Sequence, residues 1–203
     1  ILITAPENLC WVLNLRGMDG KYSPLVNGYL IISKSNKKYL FLKKDYNGEI
    51  RSKLNGIKVL GREKMSSFLK NLTNKKIRID SLSCSVYFKQ ILNHNNVIIE
   101  KPDYTYLLKS QKNSTEIRNI KKSHIIDGVA LTKFLIWLRD NYNKKKITEI
   151  DAQNKLLRIR KLNKNFFGLS FPTISASGPN GAIIHYKAEI SSNRVLKKGD
   201  IYL

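Results

Sequence analysis

Apolar residues come in short β-rich bursts and then at helical spacing, and the two patterns alternate through the first half of the chain. "ILIT" reads as a strand, and "PENLCWVLNL" sets Leu9, Val12 and Leu13 at helical spacing behind Pro6, a residue suited to a first helical turn. "YLIIS" and "KYLFL" are two β-rich runs joined by the turn-prone "KSNK", and "GIKVLG" predicts a further strand. The next segment places Met65, Phe68, Leu69 and Leu72 on one helical face. "KKIRID" and "NNVIIE" repeat the strand pattern with "SVYFKQIL" as a helix between them. Strands interleaved with helices predict an α/β domain with a mixed sheet over residues 1–102.

Pro102 breaks this pattern, and residues 103–113 read as a linker. From Ser114 a long helical segment opens, with Ser114 or Thr115 as its expected cap. Ile117, Ile120, Ile125, Val129, Leu131, Leu135 and Leu138 form an apolar face expected to be buried. "TEIDAQNKLLRIRKLN" predicts a second helix, capped by Thr148. Beyond it, "FPTIS", "AIIHY" and "IYL" read as strands around the turn "SGPNG". Residues 114–203 are thus expected to be two helices followed by a sheet, in a second domain.

Composition changes the picture little. An apolar fraction of 42% over 203 residues is ordinary for a globular protein. No run of about 18 apolar residues suggests a membrane span, and the opening residues lack a signal-peptide pattern, so a cytoplasmic location without membrane partners is expected. Cys10 and Cys84 stand far apart and read as reduced, packed thiols. The formal charge of +22 raises nucleic acid as a partner. The lysines are scattered through "SNKKY", "LKKDY", "TNKKIRI", "NIKKSH" and "NYNKKKI", with no nucleic-acid-binding motif beside them, so no nucleic-acid function is expected.

Candidate chemistry is sparse. His94 lies in a polar loop and His124 follows two lysines on a helix; both read as solvated or packing residues. His185 differs, because it ends an apolar run behind a glycine turn. Glu189 is its only close carboxylate, too little for a metal site. "SGPNG" lacks the Lys-Ser/Thr ending of a phosphate loop and reads as a structural turn. Ser175 and Ser177 lack a nucleophile elbow, and sequence cannot pair Asp127 or Asp140 with His185. Residues alone thus reach a two-domain α/β protein with a candidate polar site at a strand end.

Three motifs in order go further. "FPTISASGPNGAIIHY", continued by "NRVLKKGDIYL", resembles the opening of the pita-bread catalytic domain of the Xaa-Pro aminopeptidase (aminopeptidase P) family. "CWVLNLRGMDGKYSPLVNGYLII" resembles the Trp-x-x-Asn-x-Arg-Gly segment of that family's three-domain form, and "KNSTEIRNIKKSHIIDGVALTKFLIWL" its first catalytic-domain helix. The resemblance implies a creatinase-N-terminal-like, ribonuclease-H-like α/β domain followed by the truncated start of a pita-bread α+β domain. It implies a cytoplasmic enzyme that removes the N-terminal residue from peptides with proline second, using two divalent ions, usually manganese. The family's ligands, two Asp, one His and two Glu, follow the segment matched by "IYL", so no metal ligand transfers to this chain. The chain is accordingly expected to be a fragment, lacking the first domain and the metal-binding half, and inactive alone.

The residue that does transfer is His185, matching the family's non-ligand histidine, which hydrogen-bonds substrate or the tetrahedral intermediate. Gly178, Pro179, Asn180 and Gly181 then shape the cleft beside it, and Arg16 is a weaker substrate-side candidate with a structural role at least as well supported. Homodimer formation by the intact enzyme stays open. Prolidase, which shares the fold and a related His motif, is the near alternative; a non-catalytic, peptide-binding pita-bread relative is the distant one.

Overall fold

The computed structural model describes residues 1–43 and 54–203; the "LKKDY" run beyond Lys43 lies outside the described residues. The chain divides into two compact units, Ile1–Gln111 and Lys112–Leu203.

In the first unit the period-two pattern decides which side of the sheet each residue faces. Strands β1 (Leu2–Ile3), β2 (Tyr29–Ile32), β3 (Lys38–Leu42) and β4 (Ile57–Gly61) form one sheet in that order. β1 to β3 are antiparallel neighbours, and β4 runs parallel to β3. β5 (Lys76–Ile79) and β6 (Val97–Glu100) form a separate parallel pair. Leu2 and Phe41 pack with Met65 and Leu69 of α2 (Met65–Lys70), Phe88 and Leu92 of α3 (Val86–Asn93), and Ile77 and Ile79 of β5. Their strand neighbours Ile3, Leu40 and Leu42 point the other way, against Leu9 and Cys10 of α1 (Pro6–Leu13).

The segment read as a linker carries a helix, α4 (Tyr104–Ser110). Asp103 caps it by accepting from Thr105 N at 2.9 Å, and it also accepts from the buried Asn8 of α1 at 2.9 Å. Lys109 Nζ donates to the same Asn8 at 2.6 Å, so α4 is fastened to α1 by polar contacts that hydrophobic spacing does not announce. Cys10 is buried and Cys84 half-buried, both as free thiols.

The second unit opens with α5 (Ser114–Asn141) and α6 (Glu149–Lys161). The cap of α5 is Asn113, one residue before the expected Ser114, because its side chain and Glu116 complete a reciprocal capping box. Thr148 caps α6 as expected and pairs reciprocally with Asp151. Phe134 on α5 packs with Ile147 and Ala152, and Arg160 on α6 grips Asp127 on α5 through two bonds of 2.7 and 3.0 Å. The apolar face of α5 is otherwise open: Ile125 is 68% exposed, Leu135 53% and Val129 51%. Its expected burial fails because within this unit α6 and the residues packed with it cover mainly the end near Phe134.

Residues 171–203 form no ladder of strands. "FPTIS", "AIIHY" and "IYL" are extended or turn segments, and the pairings in this region are two isolated antiparallel bridges, Thr148 with Val195 and Ser177 with Tyr202. Ala176 and Leu203 exchange backbone hydrogen bonds of 3.0 and 2.9 Å around the second pairing. Apolar runs of this length fit a strand equally well in sequence, but a strand needs a continuous partner, and of the three runs only "IYL" has a bridged residue among those described, Tyr202.

Candidate functional site

The glycine turn is a short 3-10 helix, Gly178–Ala182, with Pro179 in its first turn. Gly178 has φ +57°, a left-handed conformation, and a side chain there would also meet the Asp200 carboxylate at 3.3 Å. Gly178 N donates to Ile201 O at 2.9 Å, and Ser177 Oγ to Asp200 at 2.8 Å, so the start of the turn is held against residues 200–201. Gly181 is different: nothing within 4 Å would obstruct a side chain there.

What organises this turn is Glu149, the first residue of α6, fully buried and absent from the sequence-level candidates. Its carboxylate accepts from Ser177 N at 2.6 Å, Arg194 N at 3.0 Å, the Tyr186 hydroxyl at 2.8 Å and Asn180 Nδ2 at 3.0 Å. Asn180 Nδ2 also donates to the Tyr186 hydroxyl at 2.8 Å, and Ser175 Oγ donates to the Glu149 carbonyl at 2.7 Å. Burial alone would push the Glu149 carboxyl up; the bonds from Arg194, Ser177, Tyr186 and Asn180 outweigh it and hold the group below the usual carboxylate range. Burial pushes the Tyr186 phenol up, and the adjacent carboxylate adds to that rise.

The hub grips the chain on both sides of His185: Ser177 and Asn180 before it, Tyr186 and Arg194 after it. Between these anchors the backbone projects Ile183, Ile184 and His185 outward, all three exposed. His185 therefore sits in a turn, not at a strand end as the apolar run suggests. Its φ is +55°, and the other described non-glycine residues with positive φ are Asn14, Asn36 and Asn74, a type that tolerates this region through local hydrogen bonding. The imidazole has no hydrogen-bond partner among the described residues and is free to meet a ligand.

The remaining candidates are occupied elsewhere. Arg16, in the first unit, donates to Leu15 O at 2.7 Å and reaches Cys10 O at 3.4 Å, so its head group braces the end of α1. His124 Nδ1 lies 2.9 Å from Ile120 O on its own helix, and His94 is exposed at the end of α3. Ser175 and Ser177 are buried in the hub's hydrogen bonds, Asp127 pairs with Arg160, Asp140 with Arg139, and Glu189 with Lys187 at 3.5 Å. Among the described residues no three His, Cys, Asp or Glu side chains stand close enough to hold a metal ion. The described residues do not fit a metal centre.

Glu149 left a faint signal. It follows the Thr148 cap and stands between Ile147 and Ile150, where a solvated first-turn acid would be expected to have polar neighbours. Its four donors come from 28 to 45 residues downstream, a closure that spacing does not reveal.

Comparison with known proteins extends the picture. The family described as the creatinase/prolidase N-terminal domain matches residues 1–116, and metallopeptidase family M24 matches residues 118–203. The Xaa-Pro aminopeptidase of Drosophila melanogaster is 33% identical over 210 residues, covering all of this chain and 34% of that protein. The X-prolyl aminopeptidase of Caenorhabditis elegans, described as a cytosolic enzyme with a di-nuclear active site, superimposes with a TM-score of 0.87 at 24% identity, over 99% of this chain and 34% of its own. The Xaa-Pro dipeptidase of Bacillus anthracis superimposes with a TM-score of 0.70 at 18% identity, over 99% of this chain and 54% of its own. The chain thus spans about a third of the length of the aminopeptidases it matches.

Proposed function

Because the chain belongs to the creatinase/prolidase family, with an M24 metallopeptidase segment behind its N-terminal domain, we propose that it is part of an Xaa-Pro aminopeptidase. In this reading the protein hydrolyses the bond before a proline in second position and releases the first residue of the peptide. His185 contributes from this chain. Its exposed imidazole, held in a turn fastened on both sides by the Glu149 hub, donates a hydrogen bond to the oxygen that gains charge as the scissile carbonyl becomes tetrahedral. The observation that carries this assignment is the left-handed, partner-free His185 in a loop anchored on both sides by the Glu149 hub. Sparsely populated backbone conformations persist where surroundings over-determine them, and they gather at functional sites.

Gly178, Pro179, Asn180 and Gly181 form the cleft wall beside His185. Two divalent ions, manganese in our reading, supply the activated water in the active enzyme, and the residues described here do not hold them. The isolated 203-residue chain is therefore inactive. Peptides are the partners, the cytoplasm is the location, and Arg16 acts as a brace, not a substrate ligand.

The protein expressed from the complete reading frame that carries this sequence, supplied with manganese, should release arginine from Arg-Pro-Pro. Cleavage of Arg-Pro with no action on the tripeptide would replace this reading with prolidase, and failure on both, with peptide binding retained, would replace it with a binding relative. Arginine release by the purified 203-residue chain would overturn its inactivity.

A further inference from the structure

The lysines of "NYNKKKI" are not simply dispersed over the surface. A groove of about 330 Å³ in the second unit is lined by Trp137 of α5, Lys145, Lys146 and Ile147 of the connection, and one face of α6. That face is Asp151, Asn154, Lys155 and Arg158, spaced 3, 1 and 3 residues apart, which puts all four on one side of the helix. Lys145 Nζ and Lys155 Nζ lie 5.4 and 5.1 Å from the centre of the Trp137 ring, so cations from two segments converge on one indole.

None of Lys145, Lys146, Lys155 and Arg158 forms an ion pair with a described carboxylate. Asp151 is the one acid in the groove, and its Oδ2 is occupied by Thr148 N at 3.0 Å and Thr148 Oγ1 at 2.7 Å. Those bonds hold its carboxyl low, with the charges of Lys145 and Arg158 adding to the effect. Four cations thus face one carboxylate already engaged in capping. Held together in a concavity with an apolar wall, they repel one another, and a multiply charged anion relieves that repulsion.

We propose that this groove binds a compact polyphosphate chain, of the kind carried by nucleoside triphosphates. Phosphate suits the donors better than carboxylate does. Arg158 offers a planar fork to two oxygens of one phosphate, and the three ammonium groups act as point charges along a chain that presents oxygens on every side. Lys145 and Lys155 already cover the Trp137 ring, so the phosphates, not a stacked base, supply the affinity. The groove's small volume suits a phosphate chain better than a duplex, which would need a longer basic track.

The test uses the 203-residue chain with Trp11→Phe, which leaves Trp137 as the single indole. Sodium tripolyphosphate titrated at constant ionic strength should change Trp137 emission saturably. Lys155→Ala/Arg158→Ala should raise the midpoint at least tenfold, and Lys145→Ala/Lys146→Ala, outside any helix, should do the same without touching α6. Lys121→Ala/Lys122→Ala on α5, which removes equal charge elsewhere, should leave the midpoint unchanged. ATP binding with the midpoint of tripolyphosphate identifies the phosphate chain as sufficient; ATP binding at least tenfold tighter would contradict an affinity supplied by the phosphates. An unsaturable response, equal weakening by the Lys121/Lys122 variant, or binding of hexaglutamate or duplex DNA as tight as tripolyphosphate would overturn the proposal.

Discussion

Glu149 shows how a buried carboxylate can serve as a fastening point without a cation. Its four donors replace the water it lost, and together they stabilise the charged form. Glu149→Gln removes the charge and turns an NH2 group toward those donors; we expect a loss of about 3 kcal/mol in urea denaturation. The sign of the pH dependence follows from the depressed carboxyl. In the acid range the unfolded chain binds this proton first, so stability present above the ordinary carboxylate value is lost as pH falls through the folded one. Stability, read by urea denaturation, should therefore fall less steeply between about pH 6 and pH 3 in Glu149→Gln than in the parent. His185 presents the opposite trade. At φ +55° a glycine would relax the backbone, and His185→Gly should gain up to about 1 kcal/mol of stability before the unfolded-state freedom of glycine is counted. A loss well beyond the ~1 kcal/mol that glycine's unfolded-state freedom costs would show that the imidazole packs and is not a free ring.

At the level of elements, hydrophobic period was informative wherever an element is completed by its neighbours in this chain. The alternation in "KYLFL" is the alternation of Phe41 toward α2 and α3 with Leu40 and Leu42 toward α1, and among the described residues the six strands and the first three helices fall on the apolar runs that predict them. It was uninformative where polar side chains decide the geometry: α4 rests on Asp103, Asn8 and Lys109, and the 171–203 segment on Glu149. His185 was visible through its motif, while the residues that hold it in place were not. Thr148 is the local counterpart, readable from the sequence and bonded to Asp151 at 3.1 Å; Thr148→Ala should cost about 1 kcal/mol, read from the denaturation midpoint. Within the glycine turn, Gly178→Ala should destabilise by about 1 kcal/mol or more, since its φ of +57° disfavours a side chain, whereas Gly181→Ala, with open space around it, should stay within about 0.5 kcal/mol.

Across the whole molecule, two units carry the family's N-terminal domain and an M24 segment, and the charge of +22 is spread over both. Among the described residues no helix is long and apolar enough to cross a membrane. The second unit exposes Ile184 at 87% beside His185, an apolar tip next to a polar ring, which supports the proposed role of this loop in receiving a proline-containing peptide. The most direct test of that role is kcat for Arg-Pro-Pro, measured on the protein from the complete reading frame with His185 intact and with His185→Ala. We expect the substitution to lower kcat about a hundredfold or more while the fold, read by circular dichroism, is unchanged. A kcat that stays within about twofold of the parent would contradict a site role for His185.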